Sequence, residues 1–476
     1  MQSVGITWSR GRVWLLASVA LVLSLPIAWA ASREPLLVLG GIVGMLALGV
    51  CIARPWWGML GVIFLLPFER IGSIDLVGIT IRPSQVLAVC VLVAWLVRVM
   101  VRGRLRWEAQ PLLWPMLVFL AVQAIALTHV ANSTRGIAVF AFTAFTFAVC
   151  LVVPQLVRSE AHARAVILTL SISTFLVAGF GLFQFLGDFA GLPTSVTGLR
   201  DLYTKAVLGF PRVQSTALEP LYFANFLLLP LSFLTALLFG REARRGLLGI
   251  PLLLIAGLAF VLTVARGGYI AFAASLIVIL ALSWRQLLHP GRILAFGAGA
   301  VVIGVFALQL LNLGTDAFSA QKFSDHVRNL FTGASYEERI DTFTLAQQAF
   351  REQPLVGIGP GQFGPYASIN PFYQPKDGWK IVNNLSLELL AETGLLGTFA
   401  IASAFLILLI RSVRALRAKP QPYVRALIVG GTAVVVGIMV QYQTFSILYI
   451  MHVWVAIGLL IAFQNLALRK PAVPNV

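Results

Sequence analysis

Long apolar runs alternate with short polar links, most of which carry arginines, along almost the whole chain. Many of the runs approach the roughly 20 predominantly apolar residues that a transmembrane helix needs. Counting them from 13–31 to 446–466 gives about 12 to 14 membrane spans. The pattern therefore predicts an all-α fold, a polytopic transmembrane helical bundle.

Two polar segments are too long to be simple links between adjacent spans, and they divide the chain. The predicted parts are N-terminal transmembrane helices (1–187), a first outer loop (188–220), transmembrane helices with a tight hairpin (221–313), a large outer loop (314–383) and C-terminal transmembrane helices (384–476). A polar segment as long as the large outer loop, between membrane spans, is where water-facing chemistry can take place.

The large outer loop contains a helix-start signal, Ser335-Tyr-Glu-Glu338, in which the serine caps the helix and the glutamate completes a capping box. A helix from there to Pro354 would carry one stripe formed by Arg339, Phe343, Ala346 and Phe350. This helix cannot span the bilayer. We predict that it is an amphipathic lid lying over the membrane body.

A glycine-rich stretch, Gly359-Pro-Gly-Gln-Phe-Gly364, follows the lid and matches the letters of a dinucleotide-binding pattern. No predicted strand precedes it and a proline lies within it, so we reject that function. We predict a backbone bend, and we keep Gly359 and Gly361 as candidate contacts to substrate phosphate.

Composition supports the membrane interpretation and gives it a direction. With 59% hydrophobic residues, 11% charged residues and a mean hydropathy of +0.90, the chain is not a soluble globular protein. Its net charge of +17 would suggest nucleic acid in a soluble protein, but the basic residues cluster in links on one predicted side of the membrane. The positive-inside rule makes that side cytoplasmic. We therefore expect no nucleic-acid partner, both termini in the cytoplasm, and the two outer loops in the periplasm of a bacterial inner membrane.

Residues that commonly bind metals are scattered. Cys51, Cys90 and Cys150 all lie inside apolar runs, so they indicate neither a disulfide framework nor a cysteine metal site. The histidines are spread over both sides and the membrane, and neither outer loop shows paired acids at metal-binding spacing. We expect chemistry without a metal or another cofactor.

Four motifs, taken in order, carry a resemblance to a known family. They are Pro211-Arg-Val-Gln-Ser-Thr-Ala-Leu-Glu-Pro220, Leu262-Thr-Val-Ala-Arg-Gly-Gly-Tyr269, Glu338-Arg339 followed by Pro354-Leu-Val-Gly-Ile-Gly-Pro-Gly-Gln-Phe363, and Asn383-Asn-Leu-Ser-Leu-Glu-Leu-Leu-Ala-Glu-Thr-Gly394. Each motif alone is weak. Their order and membrane sidedness together resemble the O-antigen ligase and O-antigen polymerase superfamily of membrane glycosyltransferases.

The resemblance implies transfer of a glycan from an undecaprenyl-diphosphate carrier to an acceptor hydroxyl on the outer face of the membrane. Arginine suits the departing diphosphate because its planar fork matches phosphate oxygens and stays charged. We predict that Arg266 and Arg339 are catalytic, although both could instead snorkel to the membrane interface. The predicted substrate-binding residues, besides the two glycines, are Arg212, Tyr222, Lys380 and Asn384.

One position departs from the family pattern. Ligases of the family have a histidine before the asparagine that opens the last motif, whereas this chain has Asn383 there. Asparagine can orient a hydroxyl but cannot take its proton at neutral pH. Glu388, one helical turn before Glu392, is our first candidate for the base, and Glu219 is the second. The alternatives are interfacial solvation for Glu219 and polar pairing between helices for Glu392.

The missing histidine favours a polymerase over a ligase. A polymerase would use the lipid-linked chain as donor and a lipid-linked repeat unit as acceptor, with a chain-length regulator as a possible further partner. A ligase would transfer the glycan to lipid A core or another acceptor. A transporter or flippase of lipid-linked sugars would explain the spans but not a lid, and a peptidoglycan-type polymerase would be expected to place its acid in a different loop.

Overall fold

The computed structural model of the protein describes residues 35–76, 79–102, 107–240, 249–287, 334–369 and 379–469, with a few helical positions between 297 and 305. Most of these residues are helical, which confirms the predicted all-α bundle. The described part also contains a short antiparallel hairpin of β1 (Ile74–Leu76) and β2 (Ile79–Ile81).

The helices follow the apolar runs. The first six are α1 (Pro35–Ala53), α2 (Pro55–Leu65), α3 (Pro83–Arg102), α4 (Leu113–Ala126), α5 (Ser133–Leu156) and α6 (Glu160–Phe189). Two one-turn helices, α7 (Thr194–Thr197) and α8 (Lys205–Leu208), lie in the first outer loop and are followed by α9 (Pro220–Phe239), α10 (Ile250–Leu262) and α11 (Arg266–Leu287). The last five are α12 (Ala334–Glu352), α13 (Phe363–Ala367), α14 (Leu385–Arg417), α15 (Pro422–Gln441) and α16 (Met451–Leu468).

Eight of the described helices are long and apolar enough to cross a membrane, namely α3, α5, α6, α9, α11, α14, α15 and α16. Shorter apolar helices lie in α1, α2, α4 and α10. The predicted runs 13–31 and 293–313, and the start of the large outer loop, lie outside the described residues. A multi-pass helical bundle is thus confirmed, while the total of 12 to 14 spans stays a prediction.

The centre of the bundle is formed by the last two helices. The spans of α15 and α16 are 78% and 83% buried, whereas that of α3 is 22% buried. Polar side chains inside this core satisfy one another: Asn225 donates to Gln441 Oε1 at 2.7 Å and lies 2.6 Å from His452 Nε2. Such pairs hold helices together where no water is available.

Links predicted to share a side of the membrane meet at the same end of the bundle. At the predicted cytoplasmic end, Arg469 donates to Glu108 and to the Arg158 carbonyl oxygen, both at 2.6 Å. At the predicted outer end, Thr216 donates to the Pro67 carbonyl oxygen at 2.6 Å, which ties the first outer loop to the end of α2. Which end faces the cytoplasm stays a prediction.

The lid helix α12 begins at Ala334 and packs on the start of α14. Its buried positions are Thr342, Ala346 and Ala349, so the packed face is turned slightly from the predicted stripe. The two alanines join Phe363, Val382 and Ala391 in a small separate core. The side chains of the predicted capping box lie outside the described residues.

The segment 354–359 inserts into a kink of α14. At Gly394 the helix has φ +61° and ψ −162°, so its own hydrogen-bond ladder is interrupted there. The inserted backbone supplies the missing partners. Leu395 N and Leu396 N donate to Pro354 O and Leu355 O at 2.9 and 3.2 Å, and Ile358 N and Gly359 N donate to Ala391 O and Glu392 O at 2.9 and 3.0 Å.

Two glycines allow these backbones to come so close. A Cβ atom added to Gly394 would lie 2.4 Å from the Leu355 carbonyl carbon. One added to Gly357 would lie 2.2 Å from the Glu392 carbonyl carbon. Both glycines also have positive φ, which side-chain-bearing residues rarely adopt. Gly357 and Gly394 therefore serve backbone packing, and both lie outside the predicted bend at 359–364.

We expect Gly394→Ala to destabilise the protein, because the residue needs a backbone conformation open almost only to glycine, at a strain of about 1–3 kcal/mol. The added methyl group would also displace the inserted segment. The measurement is the apparent melting temperature of the purified protein in detergent. Gly179→Ala in α6 is the matched control, because an added Cβ meets nothing within 4 Å there. Equal melting temperatures for the two variants would contradict the packing argument.

Candidate active site

Three arginines predicted from the sequence come from separate elements and meet at the outer end of the bundle. Arg212 belongs to the first outer loop, Arg266 is the first residue of α11, and Arg339 lies on α12. Arg266 is close enough to both of the others for their charges to interact. All three side chains are half-buried. We call these residues the arginine trio.

Arg212 is held by the end of α10. Its Nε and Nη2 atoms donate to the carbonyl oxygens of Thr263 and Val264, both at 3.3 Å. These carbonyls lie where the helix ends, and a cation there is favoured by the helix dipole. The first outer loop is thereby fixed against the hairpin that carries Arg266.

The surroundings of Arg212 act on its ionisation in opposite directions. Burial lowers the pKa of its guanidinium below the usual value, Tyr203 and Tyr269 raise it, and the neighbouring Arg266 lowers it again. Arginine nevertheless stays protonated in proteins. The trio is therefore a concentrated positive charge at the protein surface.

The bend before Arg266 is strained. Val264 has φ +50°, which is unfavourable for a β-branched residue. The tip of the hairpin is consequently 263–265, just before the predicted Arg266-Gly267 tip, and Arg266 opens α11 instead. Two other non-glycine residues with positive φ, Ser215 at +52° and Asn383 at +58°, also lie in predicted motifs. Strained backbone of this kind is frequent at functional sites.

Glu388, the first candidate base, has one carboxylate oxygen fixed and one without a hydrogen-bond partner among the described residues. Oε2 accepts hydrogen bonds from Val382 N at 3.0 Å and from Ser446 Oγ at 2.5 Å. No hydrogen bond reaches Oε1 from the described residues. The side chain lines a cavity of about 20 Å³ beside Tyr449, which is room for about one water molecule. The carboxylate is thus oriented and still able to accept a proton.

Glu392 is used differently. Its Oε2 accepts from Gly361 N at 2.8 Å and its Oε1 from Phe363 N at 3.0 Å. Both oxygens are therefore committed to the glycine-rich segment. Of the two acids one turn apart, Glu392 holds the backbone, whereas Glu388 keeps one oxygen without a hydrogen-bond partner among the described residues, and its role as base stays a prediction.

The two asparagines that open α14 have structural roles. Asn383 adopts the left-handed conformation, which asparagine tolerates better than most residues. Its backbone N–H donates to Ser446 Oγ at 3.1 Å. The Asn384 side chain caps α14 by accepting from Leu387 N at 3.1 Å. The same serine therefore contacts both Asn383 and Glu388.

Glu219 and Tyr222 lie between the arginine trio and the acids. Glu219 is exposed, occupies the N-cap position of α9 and makes no capping hydrogen bond there. It interacts electrostatically with Arg212 and with Tyr222, which packs edge-on against Phe445 at 5.0 Å. The environment of Glu219 is thus more open to water than that of Glu388.

The remaining predicted binding residues lie near the inserted segment. The amides of Gly359 and Gly361 both donate to Glu392, to its carbonyl and carboxylate oxygens respectively. Lys380 is half-buried, and its backbone lies beside Gly364. Internal packing accounts for the glycines, and contact with substrate by any of the three stays a prediction.

Sequence reasoning missed Arg135, at the first turn of α5. Its Nε donates to Gly361 O at 2.5 Å, and its guanidinium lies 5.4 Å from the Trp379 ring centre. It is also close enough to Glu388 and Glu392 for their charges to interact. The available signal was a single arginine at the predicted outer end of an apolar run.

Sequence reasoning also assigned no role to two charged residues in the link before α3. Glu69 is 5% exposed and interacts with Arg82 and Glu219. Arg82 in turn interacts with Tyr222 and Tyr449. These contacts connect the two halves of the site, and they depend on chain segments too distant in sequence to be related by a pattern.

The arrangement offers cations on one side and an oriented carboxylate on the other. The trio can neutralise an anionic leaving group, and Glu388 can accept a proton. Among the described residues, no group of three or more His, Cys, Asp or Glu side chains could hold a metal ion. Metal independence stays a prediction.

Residues 251–402 match a family model described as O-antigen ligase. The match confirms the resemblance to the O-antigen ligase and polymerase superfamily. No curated protein matches the chain. The matched segment, 251–402, contains eight of the predicted site residues: Arg266, Arg339, Gly359, Gly361, Lys380, Asn383, Asn384 and Glu388. Three predicted site residues lie outside it, namely Arg212, Glu219 and Tyr222. The fold places those three next to the matched segment.

We expect Glu392→Ala to release the backbone of the glycine-rich stretch, because the amides of Gly361 and Phe363 would lose their acceptor. Hydrogen–deuterium exchange of peptides covering 357–366 should become faster. Glu388→Gln is the control and should leave this exchange unchanged, since Glu388 makes no bond to that segment. Unchanged protection in Glu392→Ala would show that the acid does not hold the segment.

Proposed function

We propose that this protein lengthens a surface polysaccharide or exopolysaccharide from undecaprenyl-diphosphate-linked repeat units at the periplasmic face of the inner membrane. The broader class rests on the O-antigen ligase match and the eight apolar helices, which indicate a multi-pass membrane protein of glycosyltransferase type. The choice of polymerase, substrate and membrane side is the proposal.

The observation that supports it best is the division of charge across the site. The arginine trio gathers cations from three elements, and Glu388 keeps one carboxylate oxygen without a partner among the described residues. Preorganised charges of this kind stabilise the charge that develops in a transition state. A diphosphate leaving group and a hydroxyl acceptor are the reactants that such a site fits.

In the proposed reaction, the acceptor hydroxyl oxygen attacks the anomeric carbon of the donor glycan. The new glycosidic bond forms as the bond between that carbon and the diphosphate oxygen breaks. The electron pair leaves with the diphosphate, whose negative charge the trio neutralises. The hydroxyl proton passes to Glu388 and then to solvent.

Asn383 supports polymerisation over ligation. At the position where family ligases have a histidine, this chain has a left-handed asparagine that cannot take a proton. In this proposal the residue orients the acceptor, and the base is Glu388. The ligase is the second candidate, because the matching family model carries that description.

We expect Arg266→Lys to abolish glycan transfer while membrane insertion and protein level stay normal. A lysine is a point charge and cannot reproduce the two-pronged contact of arginine with phosphate oxygens. Arg351→Lys is the matched control, because Arg351 is an exposed residue at the end of the lid helix. Near-normal transfer by Arg266→Lys would reduce Arg266 to an interfacial anchor.

The decisive assay uses purified protein with lipid-linked repeat units and neither lipid A core nor protein acceptor. We expect long glycan chains from the wild type. For Glu388→Gln, which keeps the shape but removes the basicity, we expect a rate about 10²–10⁴-fold lower. The readout is chain length and initial rate.

Three outcomes separate the possibilities. Chains that form only after a core-type acceptor is added would establish the ligase and exclude the polymerase. Wild-type rates in Glu388→Gln would move the base elsewhere, with Glu219 the next residue to test. Movement of lipid-linked sugars across a vesicle membrane without bond formation would indicate a transporter.

A further inference from the structure

An open apolar groove lies between α3 and α5, away from the arginine trio. Its volume is about 500 Å³, and its walls include Val86 and Val89 from α3 and Ala138 and Ala141 from α5. Gln85 is the one polar side chain in the described lining. A groove of this size is comparable to a small-molecule binding site.

The groove lies in the part of the bundle that faces lipid. Both helices are candidate membrane spans, and α3 is the least buried of the described spans. Val86 and Val89 are 45% and 48% exposed. From Gln85 to Cys90 the lining extends about 7.5 Å along the axis of α3, and Ile81 adds to it from the preceding strand. The small side chains of Ala138 and Ala141 leave the space that a hydrocarbon chain would fill.

At the end of the groove formed by Ile81 and Gln85 lies an arginine with a nitrogen atom that lacks a hydrogen-bond partner among the described residues. Arg82 immediately precedes α3, and its backbone amide donates to Gln85 Oε1 at 3.0 Å. Its Nε atom is buried, and no hydrogen bond to it is made by the described residues. A buried donor without a partner is costly, so it indicates a ligand that supplies an acceptor.

Glu69 is the nearest alternative partner of that arginine. The two residues interact electrostatically, but burial raises the pKa of the Glu69 carboxyl above its usual value despite Arg82. Tyr222, Tyr449 and His452 also interact electrostatically with Arg82, and none of these three carries a negative charge near neutral pH. An anion is therefore still accommodated beside Arg82.

A pair of aromatic rings separates the groove from the acids. Phe142 lines the groove and stacks on Tyr449 with ring centres 6.2 Å apart. Tyr449 lines the small cavity that also contains Glu388. A lipid chain in the groove would thus place its head group next to the proposed base.

We propose that this groove binds the polyprenyl chain of the acceptor, a lipid-linked repeat unit, and that Arg82 contacts its phosphate. The inference rests on the proposed polymerase function, in which donor and acceptor both carry a lipid. The arginine trio receives the donor diphosphate, and Arg82 gives the acceptor a separate phosphate contact. The donor lipid then approaches Glu388 from the side of the arginine trio, and the acceptor lipid approaches it from the side of Arg82.

The experiment measures binding and kinetics on the full-length protein. Ala141→Trp fills the groove, and Arg82→Gln removes the charge. Ala402→Trp, on the exposed surface of α14, and Arg351→Gln are the matched controls. Native mass spectrometry with undecaprenyl phosphate as probe should show about tenfold weaker binding in both groove variants, the scale expected for one lost charge-assisted contact.

In the polymerisation assay, the same two variants should raise the KM for the acceptor by about tenfold and leave the KM for the donor unchanged. Val89→Trp fills the groove from α3 and gives a second test if Ala141→Trp lowers the melting temperature. Wild-type probe binding in the groove variants would overturn the proposal. If the groove variants lost binding of undecaprenyl phosphate and of phosphatidylglycerol to the same extent, the proposal would also be overturned, since ordinary bilayer lipid would then occupy the groove.

The binding arm keeps the two proposals distinguishable. If the wild type makes no chains from lipid-linked units, the polymerase function fails while probe binding still shows whether the groove takes a polyprenyl phosphate. If chains form but the groove variants keep a normal acceptor KM, the polymerase stands and the groove assignment fails.

Discussion

The insertion of the segment 354–359 into the kink of α14 is the constraint on which the rest of the site depends. A membrane helix satisfies its own backbone, so a break at Gly394 would leave polar groups unpaired in a poorly hydrated region. The inserted backbone supplies four hydrogen bonds at that break. These bonds join the chain that follows the lid helix to the membrane helix, and the lid helix itself packs on the start of α14.

This arrangement also explains why two similar acids have different roles. Glu392 lies two residues before the kink at Gly394, and both of its carboxylate oxygens accept hydrogen bonds from backbone amides of the glycine-rich stretch. Glu388 lies one turn earlier, where only Val382 and Ser446 reach it. The kink therefore commits Glu392 to the backbone, while Glu388 keeps one oxygen without a hydrogen-bond partner among the described residues, as the proposed role in proton transfer requires.

The arginine trio is held together against its own repulsion. Arg212 is fixed by the carbonyls at the end of α10, and Arg266 is positioned by the strained bend at Val264. Arg339 is brought by the lid. Repelling cations that the fold holds in place are stabilised when an anion binds among them, which is the property that the proposed role in binding the leaving group requires.

The sequence by itself determined the class of the protein, because apolar runs of membrane length and clustered arginines follow directly from the cost of placing polar groups in lipid. It also predicted a helix and a bend in the large outer loop and named Arg212, Arg266 and Arg339 one by one, since each lies inside a local motif. Only the tertiary structure showed that backbone amides occupy both oxygens of Glu392, the acid ranked behind Glu388, because identical acids four residues apart differ through partners distant in the chain. For the same reason it alone brought Glu69, Arg82, Arg135 and Tyr449 to the site. Local patterns report which groups are costly to bury, whereas their roles depend on which distant backbone or charge satisfies them.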